Sequence, residues 1–268
     1  MVTKRVGFIG LGKIGKPMAI SVLRQGFDLT VLGHIRPEPV EELRGLGAKV
    51  ALSPAELAQA SDFIITMVLD TSQTEQVIFG EQGLYEGIKP GTNLIVMSTL
   101  EHQFVLDLPH RMEDKGVAVI DAPVSGGTAG AEQGALTIMV GGEEKAFEAC
   151  RPVLKAMGKN IFHIGGIGSG MIAKLVNNLI MAVSLSGIKE ALSLGAKAGI
   201  DPGVLLEVVK VSTGRSQVVE NYWKVYEPRI RDGSLLVRKD LKAALELSSQ
   251  IGVELPVVTL TESTFFNV

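Results

Sequence analysis

The chain has 268 residues, 46% of them hydrophobic and 21% charged, with a formal net charge of −3 and a single cysteine. At ~100–200 residues per domain this is one large domain or two ordinary ones, with apolar content enough for a sizeable core. The near-neutral balance and the lack of a Lys/Arg block argue against a nucleic-acid partner. Cys150 alone argues against a disulfide framework or a cysteine-based zinc site. His34, His102, His110 and His163 are scattered, so no metal is expected.

At the N-terminus, Lys4 and Arg5 precede only a short apolar run, whereas a secretory leader needs a longer one and a small-residue cleavage site. A cytoplasmic location is the expectation. The predicted strands are Arg5–Ile9, Asp28–Leu32, Phe63–Val68, Leu94–Met97, Val117–Asp121, Thr137–Gly141 and Asn160–Ile164. Several are near-continuous apolar runs, as parallel strands covered on both faces require. Helical patterns separate them. Ser53-Pro54-Ala55-Glu56 combines an N-cap, a first-turn proline and a capping-box acid, opening a helix that ends near Ala60. Lys89-Pro90-Gly91 is a turn before the next strand. The alternation predicts a doubly wound, mainly parallel sheet of Rossmann type, in the α/β class.

The first strand runs directly into Gly10-Leu11-Gly12-Lys13-Ile14-Gly15, which fits G-x-G-x-x-G and opens a helix to about Gln25. The first glycine permits a tight turn and the second lets the backbone approach a pyrophosphate. The third lets helix and strand pack closely. The helix N-terminus then offers N–H groups and a positive dipole end to phosphates. A glycine-rich turn without ligand is the alternative. An NAD site expects an acid about 20 residues beyond the motif, on the ribose 2′-hydroxyl. Here Val31-Leu-Gly-His34-Ile-Arg36 has none. His34 and Arg36 suit a 2′-phosphate, which favours NADP over NAD, unless both merely decorate a loop.

After the strand Val117–Asp121 comes Asp121-Ala-Pro-Val-Ser125-Gly126-Gly127-Thr-Ala-Gly130, at the carboxyl end of a strand, where doubly wound sheets bind ligands. Successive Ser-Gly-Gly amides can form an anion nest suited to a carboxylate; an ordinary glycine loop is the alternative.

Character changes at Gly165-Gly-Ile-Gly-Ser-Gly170, a glycine-rich hinge. Beyond it the pattern is helical, with room for a strand only at the very end. Met171–Gly199 is apolar all round, the pattern of a helix buried on most sides. Its uncharged run Leu175–Ile188 falls short of the ~20 residues of a membrane span, so no membrane is expected. Asp201-Pro202 opens a helix over Gly203–Val211, and Asp240–Ile251 has helical period. The reading is a dinucleotide-binding domain at 1–164 and an all-α domain at 165–268, joined by one long helix. Lys174 and Asn178 are i and i+4 on that helix and share a face. A lysine in apolar surroundings has a lowered pKa suited to proton transfer near neutrality. On spacing alone, a lysine snorkelling to solvent explains it as well.

Four segments together resemble the β-hydroxyacid dehydrogenase family. They are Val6–Met18; Asp121–Ala131; Gly168-Ser-Gly-Met-Ile-Ala-Lys174-Leu-Val-Asn-Asn178; and Lys239-Asp240-Leu241. The resemblance spans nearly the whole chain, in order. It implies NAD- or NADP-dependent interconversion of a short 3-hydroxy acid and its semialdehyde. Lys174 is implied as general acid/base, Asn178 as orienting the hydroxyl, and Ser125, Gly126 and Gly127 as the binding site of a small carboxylate substrate. Val68, Leu69, Gln73 and Thr99 are implied along the cofactor, with Lys239 reaching it from the helical domain. A homodimer or homotetramer is implied too. Ile14 stands where members usually have Met, Val96 where an Asp often stands, and Gly33-His34 where NADP-preferring members often show Asn-Arg. The chain stops at Phe265-Phe-Asn-Val268, where relatives usually continue through further helix. An imine reductase shares the architecture but tends to replace the lysine by Asp or Tyr. A non-catalytic NAD(P)-binding module is the alternative from a different class.

Overall fold

The computed structural model describes residues 4–33, 37–231, 235 and 237–265. Two compact units are present, 1–174 and 175–268. The strands of the first are β1 (Arg5–Ile9), β2 (Asp28–Leu32), β3 (Lys49–Val50), β4 (Phe63–Thr66), β5 (Asn93–Val96), β6 (Ala118–Asp121), β7 (Val124–Ser125), β8 (Leu136–Gly141) and β9 (Gly158–Gly165). Its helices are α1 (Gly15–Arg24), α2 (Glu38–Gly45), α3 (Pro54–Gln59), α4 (Thr71–Phe79), α5 (Leu84–Gly87), α6 (His102–Arg111), α7 (Gly127–Glu132) and α8 (Glu144–Met157). Helix α9 (Ser169–Lys197) starts in the first unit and continues in the second. There α10 (Pro202–Lys210), α11 (Gln217–Glu220), α12 (Glu227–Arg231), α13 (Val237–Ile251) and α14 (Pro256–Phe265) follow, with a π-helical turn at Tyr222–Tyr226.

The strand order is β3-β2-β1-β4-β5-β6-β8-β7, with β9 on β8. From β3 to β6 every pairing is parallel; β8 runs antiparallel to β6 and β7. The order reverses between β1 and β4, which makes the carboxyl ends of those strands the switch point.

Period-2 alternation sends neighbouring strand residues into two different cores. Val6, Phe8, Phe63, Ile65, Ile95 and Ile120 face one side, against Met18 and Val22 of α1, Leu43 of α2 and Phe147 and Leu154 of α8. Ile9, Ile64, Leu94, Val96 and Val119 face the other, against Leu57 of α3, Ile78 of α4, Leu84 of α5 and Leu108 of α6. Each large side chain buried this way contributes ~1.5–3 kcal/mol, which is why the strands read as continuous apolar runs.

Capping follows local chemistry. Ser53 Oγ accepts the Glu56 amide at 3.1 Å, and the Glu56 carboxylate takes the Leu52 amide at 2.7 Å. Asp201 caps α10 through the Val204 amide at 3.0 Å.

In the second unit, Leu185 and Leu192 of α9 pack with Leu206, Val218, Val219 and Tyr222, and Ala182 packs with Val237, Leu241 and Val258. Two expectations are corrected here. The last described segment is helix α14, not strand: Pro256 at the first helical position starts a helix. Helix α9 is not buried on most sides, since Val176, Ile180 and Leu194 are exposed. By length and composition alone α9 is long and apolar enough to cross a membrane.

Candidate active site

Ile9, Thr66, Val96 and Asp121 end β1, β4, β5 and β6, and they are direct neighbours in the parallel register. The loops that follow them therefore all leave one edge of the sheet. Those loops and the elements they lead into carry Gly10–Gly15, Val68–Gln73, Thr99 and Ser125–Gly127. The topology thus brings these stretches of the first unit to a single edge, although they are scattered over more than a hundred positions of sequence.

At the first loop the three glycines have three different reasons. Gly10 has φ +101°, and a Cβ there would fall 2.2 Å from the Met67 carbonyl oxygen. At Gly15 it would fall 1.9 Å from the Gly10 carbonyl oxygen. Both are demanded by the chain's own packing. At Gly12 a Cβ meets nothing within 4 Å, and this exposed glycine is the one whose space is free for a ligand. Helix α1 has no acid in its first turn and, unlike α3, α4 and α10, no side-chain cap. An open glycine beside an uncapped helix N-terminus fits a dinucleotide pyrophosphate. Leu11 and Ile14 pack against the core below, and Lys13 is exposed. His34 and Arg36 lie outside the described residues.

The second loop is tightly organised. Asp70 Oδ1 accepts the Gln73 amide at 2.8 Å, and Gln73 Oε1 accepts the Leu69 amide at 3.1 Å. This reciprocal cap engages the Gln73 oxygen. The Val68 carbonyl accepts the Ser98 hydroxyl at 2.9 Å, tying this loop to the one that holds half-buried Thr99.

Ser125 belongs to β7, paired with Thr137 of β8, and the next two residues have left-side backbone angles, φ +130° at Gly126 and +61° at Gly127. Such angles favour glycine. Gly126 and Gly127 are exposed.

Lys174 and Asn178 stand one turn apart on α9, Lys174 half-buried and Asn178 buried. Within the second unit, Asn178 Nδ2 donates to Asp240 Oδ2 at 2.6 Å, while Lys239 Nζ reaches Asp240 Oδ1 at 2.9 Å. Asp240 was not among the candidates read from sequence. In sequence it stands only as the start of a helical period and within the Lys239-Asp240-Leu241 segment. Asp121, in sequence only a strand end and the start of the glycine segment, is fully buried and accepts the backbone amides of Gly168 and Met171, among others. Burial pushes its carboxyl above the ordinary range, against the downward pull of those N–H groups. Among the described residues, no group of three or more His, Cys, Asp or Glu is placed to hold a metal ion.

Residues 5–165 match the family described as the NAD binding domain of 6-phosphogluconate dehydrogenase. Residues 168–268 match that described as NAD-binding of NADP-dependent 3-hydroxyisobutyrate dehydrogenase. The chain is 38% identical to a probable mitochondrial 3-hydroxyisobutyrate dehydrogenase of Dictyostelium discoideum, over 93% of this chain and 81% of the relative. It is 37% identical to a 2-(hydroxymethyl)glutarate dehydrogenase of Eubacterium barkeri, over 97% and 88% of the two chains. The solved structure of a Mycobacterium tuberculosis 3-hydroxyisobutyrate dehydrogenase with L-serine is similar at TM-score 0.86 and 27% identity, covering 98% of this chain and 93% of that one.

Proposed function

The chain belongs to the β-hydroxyacid dehydrogenase family of nicotinamide-dependent oxidoreductases, and from that premise we propose that it interconverts a 2-substituted 3-hydroxypropanoate and its semialdehyde. The substrates in the relatives' names, and the L-serine of the tuberculosis structure, support this choice. Hydroxyisobutyrate, (hydroxymethyl)glutarate and serine all carry a primary alcohol one carbon from the carboxylate-bearing C2. They differ in the C2 substituent alone. The observation that carries the reading is the row of four strand ends, which delivers the glycine motif and the Ser125–Gly127 turn to one sheet edge.

In this reading the amides of Gly12, Lys13 and Ile14 receive the pyrophosphate, with Val68, Leu69, Gln73 and Thr99 along the dinucleotide and Lys239 as a further contact. Ser125, Gly126 and Gly127 bind the substrate carboxylate, and Asn178 orients its hydroxyl. Lys174 takes the hydroxyl proton in oxidation and returns it in reduction. The bound dinucleotide supplies the hydride acceptor or donor. The preferred cofactor is NADP, held at its 2′-phosphate by His34 and Arg36. Self-association into a dimer or tetramer is part of the proposal, supported by the exposed Val204, Val208 and Val211 on one face of α10 and its C-terminal end; light scattering checks it.

The test is NADPH and NADH oxidation against a panel of short semialdehydes, with Lys174→Ala alongside. We expect turnover lowered ~10²–10⁴-fold in the variant with cofactor affinity kept. Near-normal turnover removes Lys174 from the mechanism. Replacing His34 and Arg36 by alanine is expected to weaken NADP and spare NAD; equal loss of both refutes the 2′-phosphate assignment.

A further inference from the structure

Asp121 is the last residue of β6 and has no solvent exposure. Its Oδ1 accepts the Gly168 amide at 2.7 Å and its Oδ2 the Met171 amide at 2.7 Å; the Gly170 amide is a further partner. These amides are the residue before α9 and two members of its first turn. The carboxylate therefore caps α9 from a strand 47 residues earlier, with the charge that a helix N-terminus favours. The surroundings are shaped for it. A Cβ at Gly141 would fall 2.3 Å from Oδ1, and one at Gly170 would fall 2.8 Å from Oδ2. Met171, held by this contact, is itself fully buried, and its sulfur accepts the Leu100 amide at 3.4 Å.

Two functional stretches meet at this residue. Along the backbone, Asp121 leads through Ala122 and Pro123 to β7 and the Ser125–Gly127 turn. Through its side chain it holds the first turn of α9, and Lys174 follows Met171 by one helical turn. All of this lies within the first unit.

We propose that Asp121 is a positioning residue for Lys174: by fixing the start of α9 to the strand that carries the carboxylate-binding turn, it sets where the lysine ammonium stands relative to the substrate. This rests on the reading of Lys174 as the proton-transfer group. Displacement of such a group by about 1 Å costs ~10²-fold in rate. Replacing the carboxylate by an amide keeps the shape but turns one acceptor into a donor facing an N–H group.

The experiment is a double-mutant cycle on the full chain, read by single-turnover semialdehyde reduction at saturating cofactor. Asp121→Asn is expected to lower the rate about 10- to 100-fold while leaving the KM for cofactor unchanged. In a Lys174→Ala background the same substitution is expected to change the rate less than about twofold, because the group it positions is gone. Gly168→Ala attacks the same contact from the donor side, at a φ of +85°, and is expected to give a smaller loss that again vanishes without the lysine. If Asp121→Asn does not fold, the Gly168→Ala cycle decides. A wild-type rate in the Asp121 variant, or an equal loss with and without Lys174, overturns the proposal. Near-normal turnover of Lys174→Ala alone overturns the underlying reading and this inference with it; that outcome is distinct from additivity.

Discussion

Asn178 and Asp240, 62 residues apart, share a 2.6 Å hydrogen bond in which the amide donates to a buried carboxylate. The Asn178 carbonyl oxygen accepts from Asn177 Nδ2 at 3.0 Å, so both ends of the amide are engaged and its orientation is fixed. Asp240 offers its other oxygen to Lys239. One carboxylate thus holds two residues that the proposed function uses, from α9 and α13.

Asp240→Ala removes the acceptor of both contacts. A loss of about 1–3 kcal/mol in stability is expected, the cost of leaving the buried Asn178 amide without its acceptor. Urea unfolding measures it. Turnover is expected to fall at least ~10-fold, as expected when a positioned group is released; a variant as active as wild type would place Asn178 outside the reaction.

The glycines of the first loop are expected to separate binding from folding. Gly12→Ala meets no atom within 4 Å and is expected to leave the melting temperature nearly unchanged while raising the KM for cofactor. Gly15→Ala drives a methyl to 1.9 Å from the Gly10 carbonyl, and a destabilisation of about 1–3 kcal/mol is expected. Parallel calorimetry and cofactor titration check the contrast. Equal effects of the two variants on stability would contradict it.

Arg5 holds the Asp62 carboxyl below the ordinary carboxylate range, chiefly by a side-chain hydrogen bond. A carboxyl depressed in the folded state contributes stability that is present above its unfolded pKa and is lost as pH falls through its folded value. Both side chains are over two-fifths exposed, which limits the pair to ~0–1 kcal/mol. Asp62→Asn is therefore expected to destabilise slightly at pH 7, with the difference from wild type fading in acid. Urea midpoints taken at several pH values read this out.

Ser53→Ala removes the N-cap of α3, a helix that carries none of the candidate residues. It is expected to cost ~1 kcal/mol in urea with kcat and KM unchanged. A kinetic effect would mean that this helix communicates with the sheet edge.

Strands β1 and β2, the glycine turn after β1 and the caps at Ser53 and Asp201 were legible in the sequence because each is a local matter. Apolar runs, a capping side chain three residues from its amide and a glycine at a turn all act within a few positions. The two-residue strands β3 and β7 were not legible, being too short to show any period. The exposed side of α9 was not legible either, since composition says a helix is apolar and only packing says which face is covered. The sequence alone therefore determined the α/β class, the family and the identity of the chemical groups. Only the tertiary structure decided that Ile9, Thr66, Val96 and Asp121 align in one row, and that Asp121 on β6 and Asp240 on α13 each hold a residue of α9. A hydrogen bond between residues 47 or 62 positions apart leaves no periodic trace, because its geometry comes from the sheet and the helices that carry its two ends.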